Sequence, residues 1–256
     1  MIKPYLTSAA VLLGGMLLAA PTQASVIDLQ HNDTGTLSNG ARFDVTFQQP
    51  TGTGVIQPFL RVQNSPTEQG YNTSGGTPFD DKAGPWTHDI QFSDLMSTTV
   101  TLGGTSYFRI LLDVNEPGGS KSLISLDQLR FYTSPIGSKT TTDISSLGTL
   151  RFDMDFGGNN QVVIDASRNH GSGSGDVNIY IPTSYFAGTN AQDFVYMYVL
   201  FGDSDETSQG GFEEFALVQN ITPVPEMSAL FPIVGLLVAV SATHWLRRRK
   251  QAQMTA

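Results

Sequence analysis

Three stretches rich in Asp, Glu, Asn and Gly carry the side chains best suited to chemistry: "YNTSGGTPFDDKAGPW" (71–86), "LLDVNEPGG" (111–119) and "FGDSDETSQGGFEEF" (201–215). Carboxylates, amides and carbonyls are hard oxygen donors, and calcium takes about six to eight of them in a flexible geometry that glycine helps a loop to adopt. Asp113, Asn115 and Glu116 form the first expected calcium group, and Asp203, Asp205 and Glu213 the second. No stretch carries the full EF-hand pattern, and ordinary turn formation by Asp, Asn and Gly is the alternative.

Catalytic constellations are harder to find. Four histidines, His31, His88, His170 and His244, are scattered along the chain. The run "GSGSG" (171–175) has Gly173 where a nucleophile elbow needs serine, and no phosphate loop or dinucleotide fingerprint occurs. A glycosidase needs two carboxyls about 5–9.5 Å apart across one bond. Asp153 and Asp155 share a face of "RFDMDF", where Arg151 is expected to neutralise them, whereas Glu213 and Glu214, as strand neighbours, point to opposite faces. The sequence therefore points to a protein without a catalytic site.

Charge narrows the partners. Of 14 basic residues, five (Lys3, Arg247, Arg248, Arg249 and Lys250) lie outside residues 25–222, as does one acidic residue of 23, Glu226. That leaves 9 basic against 22 acidic residues, a net charge of −13. Such a surface repels nucleic acid, whose phosphates require clustered Lys and Arg. With no cysteine in the chain, disulfides, thiolate zinc and thiol catalysis are all excluded.

These side chains must be positioned by strands. Apolar and polar residues alternate with period two in "ARFDVTFQQ" (Ala41, Phe43, Val45, Phe47), "WTHDIQF" (Trp86, His88, Ile90, Phe92), "YFRILLDVN" (Phe108, Ile110, Leu112, Val114) and "VNIYIP" (Val177, Ile179, Ile181). "FVYMYVLFG" (194–202) is apolar throughout, which predicts a central strand covered on both faces. A short helical turn is expected at "SLDQL", with Ser125 as its cap and Asp127 in its first turn. Many short strands with Gly-rich turns predict an all-β, antiparallel, jelly-roll-like β-sandwich over residues 25–222, with 133–146 as the one place where two halves could divide. Trp86, Tyr180, Tyr196 and Tyr198 could stack on sugars if exposed, although core packing is their more frequent task.

Both ends read as targeting elements. Residues 1–24 have a basic start at Lys3, an apolar run from Ala9 to Ala20 and a small-residue cleavage site at Thr22-Gln23-Ala24, the order of a secretory signal peptide. Met227 to Leu246 are 20 residues without a formal charge. As a helix they measure about 30 Å, the thickness of a bilayer core. Arg247, Arg248, Arg249 and Lys250 then hold residues 251–256 on the cytoplasmic side.

The order Val224-Pro225-Glu226, one hydrophobic helix and a terminal Arg cluster resembles the PEP-CTERM sorting signal of bacterial exported proteins, here spanning 223–250. Met227 stands where that motif usually has a second proline. The stretches "GPWTHDIQFSDL" and "LLDVNEPGGSKSLISLDQLRFYT" are similar, more distantly, to ectodomains of PEP-CTERM proteins of unassigned function. The resemblance implies recognition by an exosortase-type enzyme, transient anchoring in the inner membrane, cleavage near the motif, and release or attachment at the cell surface, where such proteins accompany exopolysaccharide. The expected protein is thus a noncatalytic cell-envelope or matrix component with a structural or adhesive role, and the alternative is a carbohydrate-binding module or carbohydrate-active enzyme on the same architecture.

Overall fold

Alternating apolar residues become strands because successive side chains point to opposite faces, so one face can be buried while the other meets water or a loop. The computed structural model describes residues 24–46, 57–168 and 175–218. The chain divides into two units, Met1–Leu217 and Val218–Ala256; apart from Val218 the described residues belong to the first. The signal peptide (1–24, but for Ala24), Phe47, His170, the sorting motif and the expected membrane helix (227–246) lie outside the described residues. Among the described residues no helix is long and apolar enough to cross a membrane.

The strands of the first half are β1 (Val26–Asp28), β2 (Thr34–Thr36), β3 (Arg42–Asp44), β4 (Pro58–Val62), β5 (Glu68–Tyr71), β6 (Ile90–Gln91) and β7 (Thr99–Leu102). Those of the second half are β8 (Thr105–Val114), β9 (Leu123–Ser134), β10 (Thr149–Asp153), β11 (Gln161–Asp165), β12 (Val177–Pro182), β13 (Phe194–Phe201) and β14 (Glu213–Leu217). One sheet runs β1-β11-β9-β13-β5, with β10 added to β9 and β6 to β13. The other runs β2-β3-β12-β8-β14-β4, with β7 added to β8. Among the described ladders only β1–β11 is parallel. Strands from both sides of 133–146 share each sheet, so that segment does not divide the described residues.

The two sheets share one core. Phe108, Ile110, Leu112 and Val114 of β8, Val177, Ile179 and Ile181 of β12, and Phe215 of β14 enter it from one side. Ile124, Leu126, Leu129 and Phe131 of β9, with Val195, Met197, Val199 and Phe201 of β13, enter it from the other. Each such burial contributes about 1.5–3 kcal/mol, which fixes the strand register because a one-residue slip would reverse the faces.

A second, smaller core explains why "FVYMYVLFG" has no polar face. Tyr196 and Tyr198 of β13 pack on the outer side of their sheet with Tyr71, Tyr132 and Leu147. The hydroxyls of Tyr71 and Tyr196 donate to the carbonyls of Thr141 (2.9 Å) and Ile136 (3.0 Å) in the loop that covers them. Between the β5 and β6 ladders along β13, Asn72 acts as a side-chain rung. Its amide nitrogen donates to the Val195 carbonyl (2.8 Å) and its oxygen accepts the Met197 N–H (2.6 Å).

Two local expectations are corrected. "SLDQL" lies inside β9, not in a helical turn. The register jumps there, Leu200 facing Gln128 and Phe201 facing Leu126, so Asp127 is an extra, bulged residue. The bulge puts Leu126 and Leu129 on one face at a spacing of three, which imitates a helix. In "WTHDIQF" only Ile90 and Gln91 are strand. Trp86 closes a 3-10 turn begun at Gly84-Pro85, and both Trp86 and His88 are exposed, not inward. The one described α-helix, α1 (Phe92–Met96), follows a capping box in which the Gln91 N–H donates to the Asp94 carboxylate (2.8 Å).

Candidate functional site

The expected acidic groups divide at one end of the two sheets. β8 and β14 pair so that Glu213 faces Val114 and Glu214 faces Asp113. Glu213 therefore shares the inward face with Val114 and Phe215, while Asp113 and Glu214 share the outward face. The Asn115 N–H donates to the Phe212 carbonyl (3.1 Å), which carries Asn115 and Glu116 alongside the approach to β14. Asp203 and Asp205 are exposed and do not join them. The Asp203 N–H donates instead to the carboxylate of the bulged Asp127 (2.8 Å). Of the six expected ligands the structure thus brings together Glu116 and Glu213, while Asn115, opposite Phe212, continues the outward face of Asp113. Among the described residues, no three His, Cys, Asp or Glu side chains are arranged to hold a metal ion.

Glu68 completes the arrangement. β5 sets it opposite Phe201 of β13, on the inward face of the first sheet. Glu68 and Glu213, one from each sheet, are both without exposed surface, beside the Phe201 and Phe215 rings, whose centroids are 6.0 Å apart. Three loop segments lock together around them. Ser208 donates from its N–H to the Pro66 carbonyl (2.8 Å) and from its hydroxyl to the Asn64 carbonyl (2.8 Å). Glu116 accepts the Gln209 N–H (2.9 Å) and the Gly211 N–H (3.4 Å). Only glycine fits at 211, because a Cβ there would lie 2.4 Å from the Asn115 carbonyl oxygen.

The electrostatics are one-sided. Burial pushes the Glu68 carboxyl up to about 7, with Glu116 and Asp80 adding repulsion against an accepted Asn64 N–H. Burial also raises Glu213 well above the usual carboxylate range, reinforced by Glu68, Glu116 and Asp113. The two face each other closely enough to share a hydrogen bond when one is protonated. As carboxylates, Oε1 of Glu68 and both oxygens of Glu213 find no donor among the described residues. The Asn115 side-chain nitrogen is buried and equally unmatched. This arrangement can take up a proton or a cation, and neither buried carboxyl has surface open to a substrate.

The other chemically competent residues are engaged elsewhere. Arg130 binds Asp153 (3.0 Å) and approaches Asp155 (3.9 Å), replacing Arg151 in the expected role. Arg151 turns to the Thr133 hydroxyl (2.7 Å). On the outward face Arg61 grips Glu214 and lies 3.8 Å from the centre of the Trp86 ring. Tyr180, Tyr196 and Tyr198 are buried, and the exposed Trp86 has one face covered by Arg61. In the 71–86 stretch, Asp80 accepts from Asn64 (2.7 Å) and the Gln69 N–H (2.9 Å) beside an open cleft of about 490 Å³. His31 is exposed and paired with Asp28 (2.8 Å).

Sequence reasoning missed Glu68 because "EQGY" is too short for its alternation to register, and the partner carboxylate lies in the opposite sheet. Glu213 and Glu214 were separable by period two alone. Comparison with known families, curated proteins and solved structures found no match to this chain.

Proposed function

We propose that this chain is a noncatalytic exported component of the cell envelope or extracellular matrix, with a structural or adhesive role. Its two-sheet domain, read as a jelly-roll-like sandwich, is the cargo of a PEP-CTERM-like tail. The observation that carries this reading is the order Val224-Pro225-Glu226, an uncharged run from Met227 to Leu246, and Arg247-Arg248-Arg249-Lys250. The length of that run matches a bilayer and the cationic stop fixes its direction. The partners are an exosortase-type processing enzyme, the inner membrane during transit, and extracellular polysaccharide. Nucleic acid is not among them, given the net charge of −13 over residues 25–222.

The absence of catalysis is supported by the engagement of the carboxylates. Asp153 and Asp155 are held by Arg130, and Glu68 and Glu213 have no exposed surface. A sugar-binding module on this architecture is less favoured, since three of the four aromatic candidates are buried. Intact-mass measurement of surface material from the native host tests the reading. A mass ending near Pro225-Glu226 is expected, and Arg247 to Lys250 still attached on all surface material would reduce the tail to an ordinary anchor.

A further inference from the structure

We infer that Glu68 and Glu213 hold a calcium ion between the two sheets, with neighbouring loop carbonyls and water completing its oxygen shell. The inference stands independently of the sorting tail. It differs from the two groups expected from sequence, because Asp203 and Asp205 are exposed and Asp113 lies on the other face of its strand.

Several observations converge. Two carboxyls from opposite sheets are driven into the same interior end, each without exposed surface. Neither takes part in any ion pair among the described residues. Three of their four oxygens have no donor among the described residues, although a buried carboxylate ordinarily requires charge-assisted partners. A single shared proton joins one oxygen of each carboxyl, leaves at least one of the three without a partner, and leaves the repulsion from Glu116, which two backbone N–H groups hold in place. A divalent cation satisfies all three and reverses the sign of the local field.

The donor set is entirely oxygen, without His or Cys, which excludes the preferred ligands of zinc and copper. Among the described residues no third acidic or imidazole side chain is arranged with the pair to hold a metal ion. The remaining ligands must then be main-chain carbonyls and water, an irregular shell that calcium accepts and magnesium, with its strict octahedron, does not.

The test uses the full chain in detergent, stripped with EDTA, exchanged into metal-free or calcium buffer and analysed for bound metal and melting temperature. About one calcium per chain should survive dialysis. Melting should rise by roughly 5–10 °C at about a hundredfold excess over the dissociation constant, with little response to magnesium. Glu213→Gln and Glu68→Gln should each abolish retention and response while melting no lower than the wild type in EDTA, since each removes a buried charge. Asp203→Asn should keep both. If a Glu variant fails to fold, the wild-type retention and magnesium comparison decide alone. No calcium retained with identical melting in EDTA and calcium would overturn the inference, as would a calcium response that survives in both Glu variants.

Discussion

Replacing Asn72 by Leu should cost about 2–6 kcal/mol, although Asn72 touches no candidate ligand. β5 pairs with β13 from Tyr198 to Phe201 and β6 pairs with it at Phe194 and Val195. Between those ladders the Val195 carbonyl and the Met197 N–H are answered by the Asn72 amide at 2.8 and 2.6 Å. Asn72 itself has no exposed surface, so water cannot substitute. Leucine leaves one buried acceptor and one buried donor unmatched, each worth about 1–3 kcal/mol. That is a large share of the ~5–15 kcal/mol by which a domain is ordinarily stable. Asn72→Asp should fare no better at neutral pH, because a carboxylate can still accept from Met197 but cannot donate to Val195. Urea unfolding of the full chain, followed by far-UV circular dichroism, measures the loss, and the slope against urea should stay at the wild-type value. An Asn72→Leu variant within 1 kcal/mol of the wild type would refute the reasoning and return this function to main-chain pairing alone.

Asp81 gives a pH-dependent expectation. Burial pushes its carboxyl up to about 6 from 3.8, helped by Asp80, so its stabilising contribution is complete below 3.8 and lost as pH rises through 6. Asp81→Asn keeps the oxygen that accepts the Phe79 N–H and should raise stability at pH 8 by about 2–3 kcal/mol, with little change near pH 3.5, measured by urea unfolding at both values; an equal difference at the two pH values would exclude titration as the cause. Arg61→Lys should lose about 2 kcal/mol in the same assay, because lysine can neither form the fork to Glu214 nor stack between Trp86 and Phe212, and a change below 0.5 kcal/mol would mean that the ion pair alone matters.

The strands were legible where alternation was long and uninterrupted. β8 and β12 follow it, and the uniformly apolar β13 was legible as a strand covered twice, by the main core and by the tyrosine cluster. Sequence reasoning failed where a single residue changed phase. The bulge at Asp127 gave Leu126 and Leu129 a helical spacing, and Pro85 turned the start of "WTHDIQF" into a 3-10 turn. The short α1 was hidden because its cap is Gln91, an uncommon residue for that position, although Asp94 three residues on completes the box. At the candidate site, period two separates Glu213 from Glu214. The meeting of Glu68 with Glu213 depends on how two sheets face each other across 145 positions of chain, and no local pattern encodes that.

β14 has a mechanical consequence if the proposed tail anchors the chain. The chain leaves the domain from a strand inside its sheet, with β4 bonded to one side of β14 and β8 to the other. Tension applied beyond Leu217 along the strand axis loads both antiparallel ladders in shear, so their cross-strand hydrogen bonds must yield together and not one after another. An edge strand would peel from its single neighbour under the same pull. The exit strand thus behaves as a rivet, able to transmit tension while the core remains closed.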